Sequence, residues 1–135
     1  MAPRLLLPCV LLIVAAGCGS EQETGAPPPA APALAELLVR VDGDGARGPA
    51  KPEQLRLRCN APGESAACAA AAKLALRDFR PVPADVACTE IFGGSQTARV
   101  SGTLRGDPVS GTFARSNGCE ITRWEAMAPL LEQVG

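Results

Sequence analysis

Apolar and polar residues alternate in four short stretches of this chain, and each stretch reads as a strand with one buried face. From Leu34 to Val41, Leu37, Val39 and Val41 fall on one side and Leu38 and Arg40 on the other. From Glu53 to Cys59, Leu55, Leu57 and Cys59 alternate with Arg56 and Arg58. Thr97 to Leu104 places Ala98, Val100, Gly102 and Leu104 on one face, and Val109 to Arg115 aligns Val109, Gly111 and Phe113. Between these last two lies Arg105-Gly106-Asp107-Pro108, which reads as a turn and makes this pair the strongest hairpin signal in the chain. Ala87 to Phe92 is a further extended segment, too short to read as more.

The period changes to a helical one twice. Ser65 is placed to cap a helix from Ala66 to about Asp78, with Cys68, Ala71, Ala72, Ala75 and Phe79 on one side. An alanine-rich face of this kind lets a helix sit close to a sheet. Arg80-Pro81-Val82-Pro83 then breaks regular structure. Thr122, with Glu125 three residues later, fits a capping box and predicts a short helix from about Arg123 to Gln133, with Pro129 inside it. Trp124 and Met127 are expected to pack against the sheet, with Leu130 or Leu131. The predicted fold class is α+β: an antiparallel sheet packed against one main helix plus a short C-terminal helix.

The first 33 residues have no place in that core. Arg4, an apolar run from Leu5 to Val14 and the small residues Ala15-Ala16-Gly17 read as a signal peptide over residues 1–17. The run is too short for a secure membrane-spanning helix. Ala15 to Cys18 resembles a bacterial lipobox, with Ala15 where that pattern prefers Leu. The resemblance implies that Cys18 is lipidated and becomes the first mature residue, which anchors the protein to the outer face of the cell membrane; plain secretion is the alternative. Residues 18–33 are rich in Pro, Ala and Gly and lack an apolar period, so they read as a tether. Residues 34–135 remain for one domain, enough for a single modest core.

Composition narrows the function classes. Thirteen Lys and Arg face fourteen Asp and Glu, with the signs interspersed. Without Arg4 the count is 12 cations against 14 anions, a formal charge of −2. No basic stripe is present, so nucleic acid is not an expected partner. The chain has no His, which removes the usual base of a serine or cysteine triad and the commonest zinc ligand. No phosphate-binding glycine loop precedes a lysine. Asp42-Gly43-Asp44-Gly45 resembles the start of a calcium loop only superficially, because the later ligands are missing and Pro49 intrudes. Neither an enzyme nor a metal or other cofactor is expected. Of six cysteines, Cys9 leaves with the signal and Cys18 is assigned to lipid. Cys59, Cys68, Cys88 and Cys119 form an even set suited to an oxidising compartment, and three pairings are open. The short loop between Cys59 and the first turn of the helix favours Cys59–Cys68.

Several motifs then converge. QLRLRC ends at Cys59, a helix carries Cys68, and Cys88-Thr89-Glu90-Ile91-Phe92 precedes the run TARVSGTLRGDPVSGTFARSNGCE. Together with the cysteine order, these resemble the Streptomyces subtilisin inhibitor family over most of residues 34–121. The resemblance implies disulfides Cys59–Cys68 and Cys88–Cys119 and a serine protease inhibitor with a substrate-like loop. Its reactive bond would be Glu90–Ile91, with Cys88, Thr89 and Phe92 as further loop contacts. Asn117 would support the loop by hydrogen bonding. Family members commonly carry Met or Lys where this chain has Glu90, so the implied partner is an extracellular serine protease, either subtilisin-like or glutamate-specific. Gly93-Gly94 stands where the family has a stiffer residue and is expected to loosen the leaving side of the loop. Family members often dimerise through the outer face of the sheet, so a homodimer is possible. The alternative is a non-inhibitory envelope lipoprotein that uses the same scaffold to bind a protein or peptide.

Overall fold

The structure, a computed structural model, describes residues 28–45 and 48–135. The signal peptide, Cys18 and the first part of the tether lie outside the described residues. Residues 28–33 form no regular structure.

Alternation dictates the sheet. Strands β1 (Ala35–Asp42), β2 (Glu53–Cys59), β3 (Thr97–Leu104) and β4 (Asp107–Ala114) make one antiparallel sheet in the order β2-β1-β3-β4. The register sets Val39 opposite Leu55 on one side and opposite Val100 on the other. Val100 in turn faces Gly111, so the apolar residues of neighbouring strands share one face. On that face Ala35, Leu37, Val39, Leu57, Cys59, Ala98, Val100, Leu104, Val109 and Phe113 are all buried. Phe113 is fully enclosed, and burial of a side chain that size contributes about 1.5–3 kcal/mol.

The β3–β4 hairpin turns tighter than its sequence suggests. Arg105 (φ 52°) and Gly106 (φ 87°) both adopt positive φ, which makes a two-residue turn whose twist matches the strands. Asp107 and Pro108, expected in the turn, therefore begin β4. A proline is tolerated there because β4 lies at the sheet edge.

The helices reverse the expected proportions. Helix α1 spans only Ala66–Lys73, and α2 spans Gly118–Leu131. Ser65 caps α1 as expected, accepting from Cys68 N at 3.0 Å. The helix does not run on to Asp78, although neither Gly nor Pro stops it. Arg105 reaches across from the hairpin and donates to Ala72 O (2.6 Å) and Leu74 O (3.0 Å), satisfying carbonyls at the helix end. Ala75 N then donates to Asp78 Oδ2 at 2.8 Å and opens a separate 3-10 turn, Leu76–Phe79. The residues α1 buries are Ala67, Cys68, Ala70 and Ala71, so Ala72 and Ala75 lie off the most buried face.

Helix α2 starts five residues before the expected Arg123. Asn117 is extended and its Oδ1 accepts from Glu120 N at 2.9 Å, so Asn117 is the cap in place of Thr122. Thr122 Oγ1 donates instead to Gly118 O at 3.0 Å, one turn back. Pro129 is accommodated within the last turn and a half without ending the helix. Met127, Leu130 and Leu131 join the core, and Trp124 packs partly buried against it. Both helices lie on the apolar face of the sheet. The opposite face is open and carries exposed Glu36, Arg40, Arg56, Arg58 and Arg99, with a surface ion pair between Arg58 and Glu36 at 3.2 Å. Such an exposed pair contributes about 1 kcal/mol at most.

Candidate functional site

Two disulfides fix the ends of the irregular regions, and they differ in setting. Cys59–Cys68 joins the end of β2 to the first turn of α1, with Cα atoms 5.6 Å apart. Both residues are enclosed, at 0% and 2% exposure, so this bridge belongs to the core. Glu64 lies within 4.8 Å of both sulfurs. The sulfurs are committed to each other, and the Glu64 carboxylate accepts from Asn60 N (2.9 Å) and Asn60 Nδ2 (3.3 Å), so this trio is structural. Cys88–Cys119 joins an irregular segment to the first turn of α2, with Cα atoms 5.4 Å apart. Both of its residues are half-buried.

The segment after Cys88 is held at three points. The disulfide is the first. Gly118 N donates to Thr89 O at 2.9 Å, and Gly93 N donates to Arg115 O at 2.8 Å. Between these two hydrogen bonds stand Glu90, Ile91 and Phe92, and all three are exposed. Ile91 is 61% and Phe92 70% exposed, the highest values among the exposed large hydrophobic side chains of the described residues. Among the described residues, no hydrogen bond or ion pair reaches residues 90–92. Leaving two large apolar side chains in water forgoes about 1.5–3 kcal/mol each relative to burying them. The exposure of this pair therefore adds nothing to the stability of the fold.

The pinning depends on small residues. A Cβ on Gly118 would overlap Thr89 Oγ1 in its present rotamer, so glycine lets the start of α2 approach the loop without moving that side chain. Of the Gly93-Gly94 pair expected to loosen the loop, Gly93 has its N–H engaged and a Cβ there would meet the Ile121 side chain, while Gly94 takes positive φ (139°). Arg123 secures the platform beneath. It donates to Glu120 Oε2 (2.7 Å) and to Thr112 O (3.1 Å), and its guanidinium carbon lies 4.8 Å from the centre of the Phe113 ring. Helix α2 is thereby tied to β4, the strand that leads into Arg115.

The sequence-predicted residues are thus distributed as follows. Cys88 and Cys119 bridge the base, Thr89 contributes its carbonyl, and Glu90, Ile91 and Phe92 project. Asn117 lies beside the loop base, where its side-chain hydrogen bond goes to Glu120 in its own helix. Cys18 lies outside the described residues. Gly93 carries support where looseness was expected, and Gly118, Arg115, Ile121 and Arg123 carry the rest without having been singled out from the sequence. Only the three-residue spacing of Glu120 and Arg123 offered a signal; the others depend on long-range approach.

Beside the bridge runs a shallow groove of about 460 Å³ lined by Arg77, Arg80, Pro81, Val82, Pro83, Val86, Cys119, Thr122 and Arg123. It is open and largely apolar, unlike a cavity that encloses a small substrate. Among the described residues, no helix is long and apolar enough to cross a membrane.

No family model matches the chain, and neither a curated protein nor a solved structure does. A four-stranded antiparallel sheet, two helices and two disulfides define a small bridged α+β domain, and that architecture is consistent in general with a subtilisin-inhibitor-like fold.

Proposed function

We propose that this domain is a serine protease inhibitor of the subtilisin-inhibitor type, acting through residues 88–92 as a substrate-like loop. The observation that carries the reading is the exposed trio Glu90, Ile91 and Phe92 between two backbone hydrogen bonds and above a disulfide. A segment already held in place loses little conformational freedom on docking, so more of its contact energy appears as affinity. Protease inhibitors of this mode bind with little backbone change.

Between residues 89 and 93 the hydrogen bonds also narrow the choice of reactive bond to two. The Thr89 carbonyl and the Gly93 N–H are both turned inward to domain partners, which leaves them poorly placed for a protease. Glu90–Ile91 and Ile91–Phe92 retain a free carbonyl and a free N–H. The motif resemblance selects Glu90–Ile91. If the protease serine attacks the Glu90 carbonyl carbon and displaces the Ile91 amine, Cys88 stays bridged and Gly93 stays bonded to Arg115. The amine is then held near the acyl carbon, and its return re-forms the peptide bond and releases the serine.

The signal peptide and lipobox extend the proposal. Lipidated Cys18 and the Pro/Ala-rich tether would hold the inhibitor at the outer face of the membrane, facing extracellular proteases. The test is to titrate the purified protein against subtilisin, trypsin and a glutamate-specific endopeptidase and to map any cut by mass spectrometry. Stoichiometric inhibition with slow cleavage confined to Glu90–Ile91 is the expected result. Rapid digestion without a persistent complex with any of the three refutes the proposal.

A further inference from the structure

We propose that Glu90 determines specificity, and that the partner is a serine endopeptidase whose primary pocket carries positive charge and cleaves after glutamate. This inference rests on the inhibitory-loop reading above. Glu90 is exposed, it is the first residue after the Thr89 carbonyl that Gly118 holds, and none of the ion pairs among the described residues includes it. Among the described residues its carboxylate makes no ion pair that a partner would have to displace. An apolar pocket would have to strip water from that carboxylate and leave it unpaired, which strongly opposes binding. An acidic pocket, the kind that accepts Lys or Arg, would add repulsion between like charges. A pocket with a cationic or multiple hydrogen-bond donor lining recovers the lost hydration and turns the same charge into selectivity. Neighbouring Ile91 and Phe92 are apolar and exposed, so charge discrimination at this loop falls on Glu90 alone.

The experiment measures inhibition constants for the purified protein and for Glu90→Gln, Glu90→Lys and Glu90→Met against a glutamate-specific endopeptidase, trypsin and subtilisin. Glu90 is exposed, so all three variants should fold, and circular dichroism checks this. The unmodified protein is expected to inhibit the glutamate-specific enzyme most tightly. Glu90→Gln keeps the shape and loses the charge, and is expected to weaken that inhibition by about 30-fold or more. Glu90→Lys is expected to move inhibition to trypsin, and Glu90→Met to subtilisin. If Glu90→Lys and Glu90→Met inhibit their enzymes but Glu90→Gln matches the unmodified protein on the glutamate-specific one, the loop reading stands and the specificity inference is overturned. If no folded form inhibits any of the three, both are overturned.

Discussion

Replacing Cys88 and Cys119 together by Ser separates the role of this bridge from that of the core bridge. The two cysteines are 31 residues apart in sequence. On the chain-entropy model, closing a loop of that length stabilises the fold by about 3.7 kcal/mol, against about 2.7 kcal/mol for the nine-residue separation of Cys59 and Cys68. A domain of this size has about 5–15 kcal/mol in total, so the Cys88/Cys119 variant should remain folded but lose a large share of its margin. With a urea m-value of about 2 kcal/mol/M, the unfolding midpoint should fall by about 2 M. Global loss alone does not test the design of the loop. Amide exchange does, because Gly93 N–H and Gly118 N–H are the two backbone donors that pin the segment. In the Cys88/Cys119 variant, protection at these two amides should drop well below that of Val100 and Leu104 in the central strand β3, which should report the new global stability. In the Cys59/Cys68 variant, Gly93 and Gly118 should lose no more protection than the rest of the fold. That variant should be destabilised at least as much despite its shorter loop, because both sulfurs are enclosed in the core. If Gly93 and Gly118 keep their global-level protection without the Cys88–Cys119 bridge, the bridge is not what holds the segment.

Three further perturbations follow from the same contacts. Gly118→Ala puts a Cβ against Thr89 Oγ1, which exposed Thr89 can turn away about χ1 while its carbonyl stays in place. Urea stability should therefore change by no more than about 0.5 kcal/mol and the Gly118 N–H should stay protected; a larger loss would show that the loop cannot yield there. Asn117→Ala removes the cap of α2 and should cost about 1 kcal/mol, whereas Asn117→Asp should restore stability because its carboxylate can still accept from Glu120 N. An Asp variant as unstable as the Ala variant would show that the Asn117 amide group, and hence direct loop support, is what counts. Arg105→Ala removes both bonds to the end of α1 and should cost about 1–2 kcal/mol after solvent screening. Arg105→Gly loses the same bonds but relieves the positive φ, so its thermal midpoint should lie above that of Arg105→Ala.

Period-two alternation made the sheet legible. Each strand was readable to within one or two residues because its apolar face has only one place to go, against the helices. The hairpin was legible in outline, and its turn was misjudged because Asp107-Pro108 looks like a turn in isolation. It becomes strand only once Arg105 takes positive φ. The helix ends were not legible for a different reason. At the end of α1 the carbonyls are met by a guanidinium from the β3–β4 turn, more than thirty residues away in sequence, and the only local signal is Asp78, which accepts from Ala75 N. The start of α2 was visible in principle, since Asn117 is a strong cap, but Asn117-Gly118 also reads as a turn and the Thr122–Glu125 spacing competed with it. At the site, the motif supplied Cys88, Glu90, Ile91 and Cys119. The close approach of Gly118 to Thr89 and the bond from Gly93 to Arg115 are tertiary, and no spacing rule predicts them.

If the loop is a protease-gripping device, its two ends must stay put after the bond between them is cut. The most direct measurement is the equilibrium between intact and Glu90–Ile91-cleaved protein in the presence of a catalytic amount of whichever protease forms the complex. It should be approached once from pure intact protein and once from pure cleaved protein. Both samples should converge on the same mixture containing a substantial intact fraction, with re-synthesis visible from the cleaved side. Complete conversion to cleaved chains, followed by further digestion of the domain, would contradict the inhibitory mechanism.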